Sequence, residues 1–250
     1  MKDSLPVKGP LTPELKMRNE MLAFFEFVRL IVRGELDEVS QGLSEDPTLA
    51  TFAAPSGATR QNAKDFFFSE ISHYLYAGDT ALHMAAAALQ RPIVAILIAH
   101  GADPQATNRR GAGPLHYAAD TNHWKPDEQG ATIAYLLSVG ADPNALDKDG
   151  VAPIHRAVRT RSFPGVLALL DGGADPVMRN KSGSTPLHLA VQTTGRGGSG
   201  TEHALEQQAG IIKLLLEHGA SPTDKDAQGK QVLEAATNDR IRSLLVAIPT

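Results

Sequence analysis

Four histidines recur at regular intervals along this chain of 250 residues and are the first candidates for chemistry. His83, His116, His155 and His188 lie 33, 39 and 33 residues apart, each at the end of a four-residue phrase of the Thr-Pro-Leu-His type. Histidine is a common metal ligand, but equivalent positions in successive packed repeats lie about 10 Å apart, too far to share one ion. We therefore predict no metal site. Each imidazole is expected to bridge the turn of its own repeat to backbone groups of the neighbouring repeat.

Sequence motifs that indicate catalysis or nucleotide binding are absent or occur in the wrong structural context. Residues 195–200 have the spacing G-x-G-x-x-G, but they follow a predicted helix instead of a strand, which favours a flexible loop. Gly229 and Lys230 lack the remainder of a phosphate-binding loop, and neither G-x-S-x-G nor H-E-x-x-H occurs. The sequence thus predicts no cofactor and no enzyme activity.

Composition excludes several further classes of function. The chain has 24 basic and 28 acidic side chains, so no global positive field favours nucleic acid or an anionic membrane. The longest apolar run, residues 21–32, is interrupted by Glu26 and Arg29, and the chain start lacks the pattern of a signal peptide. The absence of cysteine excludes a disulfide framework. We expect a soluble, cytoplasmic monomer.

A second phrase recurs in step with the histidines. It reads Gly-Ala-Asp-Pro or Gly-Ala-Ser-Pro, begins at Gly101, Gly140, Gly173 and Gly219, and each time ends an apolar run with helical spacing. Thr185 and Pro186, at the start of the last histidine phrase, are typical of a helix start. The repeating unit is therefore a turn, a short helix, a second turn and a second helix. Such a unit buries its apolar face only by stacking on its neighbours.

Together, the two phrases resemble the ankyrin repeat, whose consensus contains T-P-L-H-x-A-A and a later helix ending in L-L-x-x-G-A-D. The resemblance covers residues 79–245 and implies an all-α ankyrin-repeat solenoid of stacked helix-turn-helix units with β-turn fingers. About five to six repeats are expected, including degenerate caps. We place an N-terminal tail at 1–13 and a single domain at 14–250, divided into a degenerate first repeat (14–53), an insertion (54–78), four repeats (79–111, 112–150, 151–183 and 184–229) and a C-terminal cap (230–250).

The insertion at 54–78 is the largest departure from the repeat. A loop of this length in a compact domain is usually functional or disordered. It contains Phe66, Phe67 and Phe68, followed by His73 and Tyr74. One interpretation is that the phenylalanines cover apolar surface left open by the first repeat, and the other is that the insertion forms a pocket for a partner or ligand. Two shorter departures lie at 122–127 and 193–200.

Ankyrin repeats commonly bind proteins on a concave surface formed by the turn tips and the first helix of each repeat. Residues 151–183 contain five basic and two acidic side chains, whereas residues 79–150 contain five basic and eight acidic ones. Arg156 and Arg159 are three residues apart on one predicted helix and therefore point the same way. The resemblance implies these partner-binding candidates: Tyr76, Asp79, Arg109, Arg110, Tyr117, Asp120, Trp124, Lys148, Arg156, Arg159, Lys181 and Gln192.

We therefore predict a protein–protein interaction module that binds another protein, with an acidic or phosphorylated segment docking near Arg156 and Arg159. Replacing both arginines with glutamate is expected to abolish partner binding with little change in melting temperature. An accessory or inhibitor subunit of a larger complex is a related possibility.

The alternative hypothesis is an enzyme or small-ligand binder whose groove pocket is closed by the insertion. This hypothesis requires an ordered insertion over a pocket of a few hundred Å³. Its candidate residues share a predicted position between the insertion and the groove: His73, Tyr74, Asp79, Asp120, Arg156 and Arg159.

Overall fold

The computed structural model describes residues 12–120, 125–192, 202–236 and 238–247. In these ranges, twelve helices form six consecutive pairs, which confirms the predicted all-α solenoid. The pairs are α1 (Pro13–Arg33) with α2 (Leu36–Glu45), α3 (Ala81–Ala87) with α4 (Arg91–Ala99), α5 (Pro114–Ala119) with α6 (Pro126–Ser138), α7 (Pro153–Arg159) with α8 (Phe163–Asp171), α9 (Pro186–Ala190) with α10 (Glu202–Glu217), and α11 (Val232–Ala235) with α12 (Asp239–Ala247).

The helices form two rows because the first helices of successive pairs pack on one another, as do the second helices. Helix α5 packs between α3 and α7, while α8 packs between α6 and α10. One apolar residue of each Thr-Pro-Leu-His phrase enters the core between the rows. These residues are fully or almost fully buried: Leu82, Leu115, Ile154 and Leu187. Stacking therefore buries the apolar face that one pair cannot bury alone.

The prolines and glycines predicted to mark helix ends lie at the ends of helices in the structure. Pro114, Pro153 and Pro186 lie in the first helical turn, where an amide hydrogen bond is not required. Gly140 and Gly219 follow helices and both adopt φ of 97°, a left-handed conformation that is unfavourable for residues with a Cβ atom. These residues give each pair the same geometry.

The four repeat histidines bridge adjacent repeats. Nδ1 of His83 accepts a hydrogen bond from the backbone N–H of Thr80 at 3.1 Å, and Nε2 donates to the carbonyl of Ala112 at 3.1 Å. The same pair of bonds recurs at His116, His155 and His188, whose Nε2 atoms donate to Val151, Ser184 and Lys230 at 3.0, 3.3 and 3.3 Å. The predicted structural role of these histidines is confirmed.

The insertion at 54–78 is ordered and closed at its base by backbone hydrogen bonds. The backbone N–H of Ala54 donates to the backbone carbonyl of Asp79 at 2.8 Å, and the backbone N–H of Gly78 donates to the carbonyl of Ala54 at 2.7 Å. The chain then forms a short antiparallel pair of strands, β1 (Phe67–Phe68) and β2 (His73–Tyr74). We call residues 67–74 the insertion hairpin. Short 3-10 turns occur at Pro47–Ala50 and Ala63–Phe66.

The two phenylalanines that flank Phe67 anchor the insertion on the first helix pair. The rings of Phe66 and Phe68 lie 5.5 and 5.6 Å from the ring of Phe25 in α1. Phe68 is buried, whereas Phe67 is 43% exposed. The insertion thus covers apolar surface of α1, as one interpretation predicted. Its other side faces α5, where the candidate site lies.

Candidate functional site

A cavity of about 320 Å³ lies between the insertion hairpin and the groove face, the surface formed by the first helices and the turns that precede them. Its walls come from residues 72–76 of the insertion, from the turns at 108–112 and 147–151, and from helices α5 and α7. The ordered insertion beside a cavity of this size is the arrangement required by the small-ligand hypothesis.

The floor of the cavity contains a buried hydrogen-bond network around Asp79. The Tyr117 hydroxyl donates to the Asp79 carboxylate at 2.8 Å, and the Asn108 side chain donates to the same carboxylate at 2.8 Å. The backbone N–H of Tyr76 donates to the other carboxylate oxygen at 2.6 Å. The pKa of the Tyr117 hydroxyl is raised well above its ordinary value. Burial is the largest cause, and the negative charge of Asp79 acts in the same direction.

This network corrects the prediction for two partner-binding candidates. Asp79 is 0% exposed and Tyr117 is 1% exposed, so neither side chain offers surface to a protein partner. Their bonds instead join the end of the insertion to α5.

The arginines of α7 are paired with carboxylates of the protein itself. Nη2 of Arg156 lies 2.7 Å from Asp147, and its Nη1 lies 3.5 Å from Asp120. Nη2 of Arg159 lies 2.9 Å from Asp120. The side chain of Arg156 is only 13% exposed, whereas that of Arg159 is 47% exposed. Arg156 is therefore largely enclosed by the protein's own carboxylates, whereas Arg159 keeps more exposed surface.

The environment of Asp147 favours its ionised form. Burial by itself raises the pKa of this carboxyl, but the backbone N–H of Val151 and the guanidinium of Arg156 more than offset that effect. The net result is a lowered pKa. Asp147 and Arg156 therefore form a charged pair that holds the turn at 147–151 against α7.

His73 forms the part of the cavity wall nearest to Tyr117. The two rings lie 4.5 Å apart, and Nδ1 of His73 donates to the carbonyl of Tyr74 at 2.9 Å. Burial lowers the pKa of His73, although Asp79 and Asp120 act in the opposite direction, so the ring is neutral near pH 7. In this tautomer Nε2 carries a lone pair, and no residue in the described part of the chain donates to it.

Basic side chains at the turn tips attach the insertion to the repeats. The Arg109 guanidinium donates to the carbonyl of Ala58 and lies 5.6 Å from the Tyr76 ring centroid. The Arg110 guanidinium lies 5.2 Å from the same centroid. Tyr76 is half-buried beneath them. Tyr76 and Arg109 therefore serve internal contacts, while Arg110 also lines the cavity.

The remaining candidates lie farther along the groove face. Lys148 and Lys181 are exposed at adjacent turn tips, and Nζ of Lys181 donates to the carbonyl of Lys148. Gln192 is exposed after α9. Trp124 and the loop at 193–200 lie outside the described residues.

Sequence reasoning missed Asn108 and Asp147 as members of the site. Both occupy the same place in their turns, as do Asn180 and Asp226, and each side chain accepts backbone N–H groups two and four residues later. The recurrence of Asn or Asp at this position was the available signal.

Among the described residues, no cluster of three or more His, Cys, Asp or Glu could hold a metal ion. No helix in the same ranges has the length and apolar character needed to cross a bilayer.

Comparison with known proteins gives one match. A family model described as ankyrin repeats (3 copies) matches residues 26–125 and 127–226, which together make up most of the chain. No curated protein matches the sequence.

Proposed function

Because the chain belongs to the ankyrin-repeat family, whose members are generally protein–protein interaction modules and typically not catalysts, we propose that it binds a partner protein on its groove face. The ligand is an anionic segment, acidic or phosphorylated, that contacts Arg159 and the neighbouring turn tips.

The exposure of Arg159 is the observation that carries this proposal. Its side chain is 47% exposed, and only Nη2 is used in the bonds to Asp120. Nη1 and Nε have no hydrogen-bond partner in the described part of the chain. An arginine held on one side by a carboxylate is oriented, and each of its other nitrogens can still donate a hydrogen bond to an anionic group.

The surroundings of Arg159 support an anionic ligand. Lys148 and Lys181 are exposed at the turn tips on the same face. Residues 151–183 carry five basic and two acidic side chains, so the basic segment is local in an acidic chain. Long-range attraction of an anionic segment is consequently directed to this part of the groove face.

Affinity capture from lysate of the source organism, with mass spectrometry, tests the proposal. The unmodified chain should capture proteins that soluble polyglutamate elutes. The Arg159→Glu variant should no longer capture these proteins. Arg240→Glu is the matched control because Arg240 is an exposed arginine in the C-terminal cap. Phosphorylated and glutamate-rich peptides from the captured protein then distinguish the two kinds of anionic segment.

A variant with the opposite expected effect strengthens the test. Asp120→Asn removes the carboxylate that pairs with Arg159. The electrostatic potential around the guanidinium is then more positive and attracts an external anion more strongly. We expect this variant to retain more of the partner. Equal capture by the Arg159→Glu and Arg240→Glu variants would contradict the proposal.

A further inference from the structure

The cavity beneath the insertion hairpin has an even balance of charge. Three arginines line it, Arg110, Arg156 and Arg159, and the three aspartates that line it are Asp120, Asp147 and Asp149. An ion that entered would lose its hydration without gaining attraction from a net opposite charge. The lining therefore favours a ligand without net charge.

Within the described part of the chain, several polar groups of the cavity wall have no side-chain partner. Nε2 of His73 is an acceptor, the Asp149 carboxylate is a second acceptor, and the Arg110 guanidinium is a donor. None of these three groups has a side-chain hydrogen-bond or ion-pair partner in the described residues. Hydroxyl groups suit such a wall, since each can donate one hydrogen bond and accept two.

Aromatic rings provide the apolar part of the wall. Tyr74 and Tyr76 both line the cavity, and each is half-buried. The Tyr74 ring packs 4.8 Å from Phe67, while Tyr76 lies beneath Arg110. Because the rings are held by these contacts, little side-chain freedom is lost when a ligand packs on them.

The size of the cavity limits the ligand to a compact molecule. Its volume of about 320 Å³ lies at the lower end of the range for small-molecule sites. From the size, the neutral balance, the unused donors and acceptors and the aromatic wall, we propose that this cavity binds a neutral polyhydroxylated molecule of monosaccharide size. Arg159 lies at the edge shared by this cavity and the groove face, and the ligand proposed here differs from the anionic segment proposed for Arg159 in having no net charge.

Saturation-transfer NMR with a panel of neutral hexoses, pentoses and inositols tests this site on the full chain. We expect at least one neutral probe to receive saturation at millimolar concentration. Glucose 6-phosphate, glucosamine and L-arginine amide serve as charged probes and should bind more weakly. The measurement needs no protein partner, so its failure is separate from failure of the proposed groove function.

Two variants locate the binding, and urea denaturation checks that each remains folded. Asp149→Ala and Arg110→Ala alter exposed side chains that line the cavity. Each should raise the dissociation constant of the neutral probe about tenfold, the loss expected for one charge-assisted hydrogen bond. Asp171→Ala is the control, because Asp171 is exposed on α8 away from this cavity.

Three outcomes would overturn the inference. They are the absence of saturation transfer to every neutral probe, equal affinity of the Asp149→Ala and Asp171→Ala variants, and tighter binding of the charged probes.

Discussion

The hydroxyl of Tyr117 donates to the buried carboxylate of Asp79 at 2.8 Å, across the boundary between two successive helix pairs. Asp79 also accepts the backbone N–H of Tyr76 at 2.6 Å, so the same carboxylate holds the end of the insertion. Stacking of α5 on α3 and placement of the insertion therefore depend on one shared group.

Removal of the Tyr117 hydroxyl should destabilise the fold. Tyr117→Phe leaves a buried charged acceptor with one fewer donor, which should lower the free energy of unfolding by about 1–3 kcal/mol. Urea denaturation measures this change. Tyr135→Phe is the matched control, since Tyr135 is half-buried on α6 and its ring lies near Arg91. Equal losses in the two variants would mean that the bond to Asp79 contributes nothing specific.

Stability should fall as the pH is lowered from 7 towards 5. Burial lowers the pKa of His73, His83 and His155, and burial together with Arg156 lowers the pKa of His116 to about 4. Below about pH 6.5 the unfolded chain therefore binds more protons than the folded chain, which favours unfolding. The stability from these neutral imidazoles is complete above pH 6.5 and decreases towards the folded pKa.

The contribution of His116 can be isolated by substitution. Because the folded pKa of His116 is about 4, this histidine contributes a slope of about 1.4 kcal/mol per pH unit to the free energy of unfolding between pH 5 and 6. His116→Gln should reduce the total slope between pH 5 and 6 by about that amount, measured by urea denaturation at several pH values. His100→Gln alters an exposed histidine and serves as control. An unchanged slope in His116→Gln would refute the assignment.

The insertion should loosen when its anchor is removed. Phe68→Ala deletes a buried ring that packs 5.6 Å from Phe25, and truncation of a buried phenylalanine typically costs about 3–5 kcal/mol. Hydrogen exchange should then accelerate at the amides of Ala58 and Leu75, which are hydrogen-bonded within the insertion. Phe67→Ala changes an exposed neighbour and should leave both amides protected. Unaltered protection in Phe68→Ala would show that other contacts hold the insertion.

The two arginines of α7 should differ in their effect on stability. Arg156→Met removes a partly buried bridge between Asp120 and Asp147, and we expect a loss of about 1–3 kcal/mol in urea denaturation. Arg159→Met affects a half-exposed pair and should cost less than about 1 kcal/mol. Similar losses in the two variants would contradict this distinction.

Local patterns were sufficient to predict the histidine bridges. Each histidine lies three residues after the residue whose N–H it accepts, and the repeat places a carbonyl of the next unit within reach of Nε2. The path of the insertion required more information. Phe68 packs on Phe25, which is 43 residues earlier, and no periodicity links these two positions.

The charges on the groove face were likewise predicted only in part from the sequence. From the sequence, Arg156 and Arg159 are equivalent members of a basic cluster. In the folded chain Arg156 is enclosed by Asp120 and Asp147, while two nitrogens of Arg159 have no partner among the described residues. Pairing of this kind depends on distances of a few Å between side chains from different turns, and net charge along the sequence does not contain that information.

The sequence by itself determined the repeating unit, because its turn residues, helix ends and apolar spacing act over only a few positions and are repeated in register. Tertiary structure alone decided that Asp79 and Tyr117 are buried, that Arg156 is paired internally and that the insertion forms the wall of a cavity. These features arise where a segment without the repeat period packs on the stack. Their free energy comes from contacts between residues that are distant in sequence, and only the folded chain brings those residues together.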